Sequence, residues 1–195
     1  MSEPQVHTWF PKTVFLRDDV CLDQLDNFEK EVKSLGQTIV TEAFNVNSSH
    51  MVNNQLHKLD SMSSLTEAIT ENYSSYLQAL GYCQPFIDDC FITDMWYNIS
   101  GKDGYLFPHI HPGSLLSGVF YVKSCESNKI VFMNTLNSSL DTPQIQTQYN
   151  DQIAQYSCKP GRMLIFQSDL IHGTTKQVSP DEKIAISFNI RLSVV

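Results

Sequence analysis

The stretch "FPHIHPGSLLSGVFYV", residues 107–122, decides how the rest of the chain is read. Two of the six histidines, His109 and His111, sit one residue apart, and Pro112-Gly113 and an apolar run follow. In a strand, residues i and i+2 share a face, so the two imidazoles aim side by side. A pair of imidazoles a few ångströms apart suits one metal ion, and a third ligand must come from elsewhere. His172 in "RMLIFQSDLIHGTT" is best placed to supply it, because it follows an apolar strand and precedes Gly-Thr-Thr. Imidazole suits Fe, Zn, Cu or Ni and does not fix the metal. Three protein ligands leave coordination positions open, which marks catalysis rather than a structural site. His7, His50 and His57 read as ordinary surface or core histidines.

Outward from this stretch the chain divides in two. Residues 12–17 read as a short strand. Residues 21–35 read as a helix with Leu22, Leu25, Phe28 and Val32 on one face and Gly36 as its stop. Residues 37–62 are polar and irregular. A second helix follows, with Ser64 and Glu67 spaced as a capping box and Leu65, Ile69, Tyr73, Tyr76, Leu77 and Leu80 as its apolar stripe. From residue 86 the texture changes to short strands at 90–98, 107–111, 116–123, 129–133, 153–158, 162–167 and 183–192, separated by turn residues. Residues 134–152 form a long polar connection of the kind that shapes an entrance. The expected fold is mainly β with N-terminal helices (α+β): a double-stranded β-helix, the jelly-roll, cupin-like barrel. We expect a single domain over 1–195, with 1–85 as helical buttress and lead-in strand and 86–195 as the jelly-roll core.

The chain has 195 residues, 42% of them hydrophobic, and a formal net charge of −8. The acidic balance argues against nucleic acid and anionic membrane. It leaves a small molecule or a protein as substrate. Cys21, Cys83, Cys90, Cys125 and Cys158 are scattered, odd in number and unpaired by any CxxC spacing. They read as reduced thiols of a cytoplasmic protein. The start of the chain lacks the pattern of a signal peptide, and no apolar run is long enough to span a bilayer.

The last strand, "KIAISFNIR", alternates strictly. Ile184, Ile186, Phe188 and Ile190 take one face, and Lys183, Ala185, Ser187, Asn189 and Arg191 the other. If the polar face lines the barrel, Lys183 becomes a deep cation near the metal, and a buried lysine needs an anion. A dicarboxylate cosubstrate would supply one. Asn98, Ser117, Tyr121, Ser187 and Asn189 are further polar strand residues that could bond it, with Tyr121 and Asn98 foremost.

"MWYNISGKDGYLFPHIHPGSLLSGVFYV" (95–122), "KPGRMLIFQSDLIHGTT" (159–175) and "KIAISFNIR" (183–191) together resemble the HxHPG branch of the 2-oxoglutarate/Fe(II)-dependent oxygenases, found in bacteria and tailed phages. The resemblance covers roughly residues 90–192. It implies a double-stranded β-helix, Fe(II) on His109, His111 and His172, and 2-oxoglutarate as cosubstrate with its far carboxylate on Lys183. It implies a hydroxylase, in the host cytoplasm if the gene is a phage's. Two positions depart from the superfamily pattern. His111 stands where a carboxylate is usual, and Lys183 where arginine is usual. Lysine makes a point-charge contact rather than a bidentate fork. Arg191 is the second candidate anchor, and Asp94, Asp103 or Asp169 could donate a carboxylate if one histidine is not a ligand. The alternatives are a cupin-type three-histidine dioxygenase that uses no 2-oxoglutarate, and a non-enzymatic metal- or ligand-binding barrel.

Overall fold

A computed structural model describes residues 5, 12–36, 38–41, 45–124, 128–134, 144–145, 147 and 150–193. Cys125, His7 and most of the 134–152 connection lie outside the described residues.

The strands form two sheets. The larger runs β1 (Val14–Arg17), β8 (Met163–Gln167), β5 (Leu116–Lys123), β10 (Lys183–Leu192), β4 (Cys90–Ser100), β3 (Val46–Ser48) and β2 (Ile39–Thr41), side by side in that order. The smaller runs β7 (Ile153–Ser157), β6 (Lys129–Met133) and β9 (His172–Thr174). All the pairings between these strands are antiparallel. An antiparallel bridge between His109 and His172 adds the HxH segment to the small sheet beside β9. From β4 onward the segments alternate between the sheets, except that β6 and β7 form a hairpin within the small one, and this is the expected double-stranded β-helix.

The central strands are buried on both sides, and the two faces have different neighbours. On the outer face of the large sheet, Ile184, Ile186, Phe188 and Ile190 of β10 are fully buried with Met95, Tyr97 and Phe120. Helix α1 (Leu25–Leu35) packs Phe28 edge-on against Phe120, ring centroids 6.1 Å apart. Helix α2 (Ser63–Ala79) buries Leu65, Ile69, Tyr73, Tyr76 and Leu77 against the same core. Its Tyr73 hydroxyl donates to the Cys90 carbonyl at 2.9 Å, tying the helix to the start of β4. A smaller cluster lies between the sheets, built from Val119, Tyr121, Ile130, Phe132, Leu164 and Phe166.

Some expectations need correction. The Ser64/Glu67 capping box does not form: a 3-10 turn at Asp60–Met62 runs straight into α2, so Met62 takes the cap position and no side chain caps the helix. Residues 37–62 are more ordered than their composition implies. They contain the β2–β3 hairpin, whose β3 pairs with β4 and widens the large sheet. The short helix α3 (Gln84–Asp88) and strand β9 were not expected. Residues 107–111 make a single bridge at His109 rather than a strand. No described helix is long and apolar enough to cross a membrane.

Candidate metal centre

The small sheet delivers the histidines. The His109 N–H donates to the His172 carbonyl (2.9 Å), and the His172 N–H returns to His109 (3.0 Å). This two-bond pair sets the two side chains next to one another, with ring centroids 4.4 Å apart. Gly173 lets the strands come this close, since a Cβ there would stand 2.8 Å from the Leu106 carbonyl oxygen. His111 leaves the ladder, and its N–H bonds the Ser168 carbonyl instead (3.0 Å). Pro112-Gly113 then turns the chain back, closed by the Ser114 N–H on the His111 carbonyl (3.3 Å). Gly113 has φ +81°, the value that a turn with proline before it requires.

The ligand-capable atoms of His109, His111 and His172 all lie within 4.8 Å of one another. Two rings have a fixed orientation. His109 Nδ1 is 2.7 Å from the Phe107 carbonyl, and His172 Nδ1 is 2.8 Å from the Leu170 carbonyl. A carbonyl only accepts, so both Nδ1 atoms carry the proton and both Nε2 atoms present lone pairs. The Nε2 atoms of His111 and His172 face each other at 3.2 Å. Nitrogens so arranged suit a shared cation, so the donor set fits a transition-metal ion. Burial pushes the His172 imidazole down to about 3, reinforced by the neighbouring imidazoles and opposed by the Leu170 carbonyl. Burial likewise holds His111 at about 4, helped by His109 and His50 and opposed by Asp94. Both are neutral near pH 7.

The large sheet forms the opposite wall of a cavity of about 460 Å³ that includes all three histidines. Its floor comes from one face of β10. Lys183, Ala185, Ser187, Asn189 and Arg191 all line the cavity, as do Asn98 and Trp96 of β4 and Val119 and Tyr121 of β5. Antiparallel register sets Ala185 beside Asn98 and Tyr121, and Asn189 beside Asp94 and Ser117. Asn98 Nδ2 donates to Ser187 Oγ at 3.3 Å, and Ser117 Oγ donates to Asn189 Oδ1 at 2.9 Å.

Lys183 is 5% exposed, and its Nζ donates to Asn128 Oδ1 at 2.6 Å. Asn128 also accepts from the Cys158 thiol (3.3 Å) and donates to the Thr175 carbonyl (2.6 Å). Tyr121 is buried there too, bonded to Cys158, and desolvation holds its phenol protonated far above the usual range. Asn128 had no signal in the sequence, because it stands outside any strand and meets Lys183 only through the fold. Arg191 is not with this group. Its guanidinium lies by the Pro112-Gly113 turn, with Nη2 3.9 Å from where a Gly113 Cβ would be.

Of the three carboxylates considered as donors, only Asp94 lines the cavity. It accepts from Asn54 Nδ2 (2.9 Å) and Thr93 Oγ1 (2.8 Å). Asp103 pairs with Lys176 (2.9 Å) and Asp169 with Lys12 (2.8 Å), both at the surface. His50 is not the bystander that the sequence implies: it lines the cavity and lies tilted against Trp96, ring centroids 4.5 Å apart, while the Trp96 ring centroid lies 5.8 Å from that of His111.

The family model described as "Putative 2OG-Fe(II) oxygenase" matches residues 94–189, the span that carries all three histidines and Lys183. Over this span, just under half of the chain, the barrel resembles that family. Its members are oxidoreductases that depend on Fe(II) and 2-oxoglutarate. Solved structures agree on the fold. HygX from Streptomyces hygroscopicus, with nickel and 2-oxoglutarate bound, is 12% identical with a TM-score of 0.63, over 93% of this chain and 84% of that one. A Pseudomonas putida prolyl-4-hydroxylase is 10% identical with a TM-score of 0.63, over 94% of both chains. A viral collagen prolyl hydroxylase from Paramecium bursaria Chlorella virus-1, in complex with 2-oxoglutarate, is 14% identical with a TM-score of 0.59, over 92% and 96%. A search of curated protein sequences gives no match.

Proposed function

We propose that this protein is a 2-oxoglutarate-dependent oxygenase, a hydroxylase, that holds Fe(II) on His109, His111 and His172 and anchors the far carboxylate of 2-oxoglutarate on Lys183. The observation that carries the reading is the joint placement of three converging imidazoles and a buried lysine in one cavity. Bound Fe(II) and 2-oxoglutarate supply the oxidising power for dioxygen chemistry. The protein residues hold and orient. The Phe107 and Leu170 carbonyls keep two imidazoles in the tautomer that offers Nε2. Lys183 offers a charge-assisted bond at a fixed depth. Tyr121, a neutral donor, together with Asn98 and Ser187 supplies polar contacts along the floor, and Asn189 lines the end beyond the histidines. Val119, Ile130 and Phe166 keep the interior apolar and exclude water.

The test is an anaerobic titration of the protein with Fe(II) and then 2-oxoglutarate, read by the charge-transfer band of a chelated 2-oxo acid. The expected result is a saturable band in the wild type. His172→Ala should abolish it. Lys183→Ala should weaken 2-oxoglutarate about 10–100-fold, the value of a charge-assisted bond, while Fe(II) affinity stays. Lys183→Arg should recover part of the loss. Wild type that binds iron but gives no band would overturn the cosubstrate assignment. It would favour the three-histidine, cupin-type reading, which the all-imidazole ligand set also suits.

A further inference from the structure

We infer that the end of the cavity opposite Lys183 is the subsite for the reacting substrate, and that it takes a small organic anion, a carboxylate or a phosphate, on Arg191. The inference rests on the preceding assignment of Lys183 to 2-oxoglutarate and extends it to the other half of the same cavity.

Lys183 and Arg191 stand on the same face of β10, eight residues apart. At about 3.3 Å per residue their backbones are separated by roughly 26 Å, far more than a five-carbon diacid can bridge. The histidines lie between them. Trp96, which contacts the His111 ring, is paired with Ser187 at the middle of β10. Lys183 lies toward Asn128 and Thr175, past the far end of β9 from His172. Arg191 lies beside the turn that follows His111. One ligand on the metal site therefore cannot use both cations.

The charge balance points the same way. The charged side chains that line the cavity, among the described residues, are Asp94, Lys183 and Arg191. Three neutral imidazoles leave both charges of a divalent ion uncompensated, unlike a ligand set with a carboxylate. The dianion of 2-oxoglutarate offsets two charges and Asp94 a third. One positive charge is left over, and Arg191 is the cation at the open end. This makes the cavity an electropositive exception in a chain of net charge −8. Arg191 is exposed, and no hydrogen bond or ion pair from its guanidinium is found among the described residues. Ile110, 43% exposed, and Pro112 supply apolar surface at the same end of the cavity. A guanidinium with free donors beside exposed apolar surface suits an anion with an apolar body.

Trp96 reports on this end. It is one of two tryptophans, so a Trp9→Phe background isolates its fluorescence. The metal-loaded protein with 2-oxoglutarate bound, kept free of oxygen, is titrated with benzoate, phenyl phosphate and the neutral benzamide. Saturable quenching by at least one anion is expected, with benzamide at least about 10-fold weaker. Which anion binds tighter separates carboxylate from phosphate. Arg191→Gln should remove the anion's advantage and leave the 2-oxoglutarate titration unchanged. Arg191→Lys should keep part of it, and Lys183→Ala should leave it intact. Equal binding of benzamide and the anions, or unchanged anion binding in Arg191→Gln, would overturn the subsite. A loss of 2-oxoglutarate binding in Arg191→Gln with none in Lys183→Ala would instead overturn the Lys183 assignment on which it rests.

Discussion

The two faces of β10 divide the work of the molecule. Its even-numbered residues, Ile184 to Ile190, are fully buried against the helices and hold the large sheet to its buttress. Its odd-numbered residues, Lys183 to Arg191, line the cavity, and three of them bond side chains of other segments: Lys183 to Asn128, Ser187 to Asn98 and Asn189 to Ser117. One strand thus separates stability from chemistry with a period of two, and each face can be altered while the other reports. The helix-side face is legible as a hydrophobic run. The cavity face costs stability, because it buries a lysine and an amide, Lys183 and Asn189, and a fold retains such groups where a ligand uses them.

The widest gap between the faces comes from Phe188→Ala and His172→Ala. Phe188 is completely buried, and its loss should cost about 3–5 kcal/mol of unfolding free energy. The surviving folded fraction should still bind Co(II) with near wild-type affinity. His172→Ala should lower Co(II) affinity more than about 100-fold, beyond the loss seen when a supporting contact to a ligand is removed, with no comparable loss of stability. Denaturant melts and metal titrations on both variants give the answer. If Phe188→Ala also abolishes metal binding in the folded protein, the faces are coupled and the division fails.

Acid should expose the cost of the cavity face next. His172 titrates at about 3 when folded and about 6.5 when unfolded. Between those values the unfolded chain binds more protons, so stability falls as pH falls. The metal-free protein should hold full stability above about pH 6.5 and lose on the order of a few kcal/mol on the way to pH 4, with half-buried His111 adding a smaller share. Urea midpoints at pH 7, 5.5 and 4 measure it. His172→Gln should flatten the slope, and a slope that persists would place its origin elsewhere.

These contrasts also explain what the sequence could and could not tell. The bounds of β5, β6 and β10 follow from alternation and turn residues, and the structure places them at Leu116–Lys123, Lys129–Met133 and Lys183–Leu192. Strands of three residues, such as β2, β3 and β9, are too short for a period to show. The histidine cluster was legible because two members share a strand-like spacing and the third has a distinctive setting. Asn128 and His50 were not legible, because only the folded chain brings them to Lys183 and to Trp96. The capping box failed since a preceding 3-10 turn competed for the same helix start.

Asn128 offers a subtler test of the cavity face. It is fully buried and bonded to Lys183, Cys158 and Thr175. Asn128→Ala should cost about 1–3 kcal/mol of stability, the penalty for stranding buried partners. It should weaken 2-oxoglutarate by less than Lys183→Ala does, with metal affinity unchanged. A stability loss with intact 2-oxoglutarate affinity would make Asn128 part of the frame alone and not a positioning residue for Lys183.

The smallest effect belongs to Asp169. Three residues before His172, it stands where a carboxylate could support or replace a ligand. The segment Ser168–Asp169–Leu170 alternates inward, outward, inward. Ser168 meets Ser117 at 2.8 Å, Leu170 offers its carbonyl to His172, and Asp169 points away to Lys12. Both members of that ion pair are more than half exposed, so its contribution is at most about 1 kcal/mol. Asp169→Asn should leave Co(II) and 2-oxoglutarate affinity within about twofold of wild type and stability within about 0.5 kcal/mol. Leu170, by contrast, acts through its backbone, which no side-chain substitution removes. A large drop in metal affinity in Asp169→Asn would mean that the carboxylate turns inward when metal binds. The site would then have a carboxylate within reach, and its all-histidine character would be a property of the metal-free protein alone.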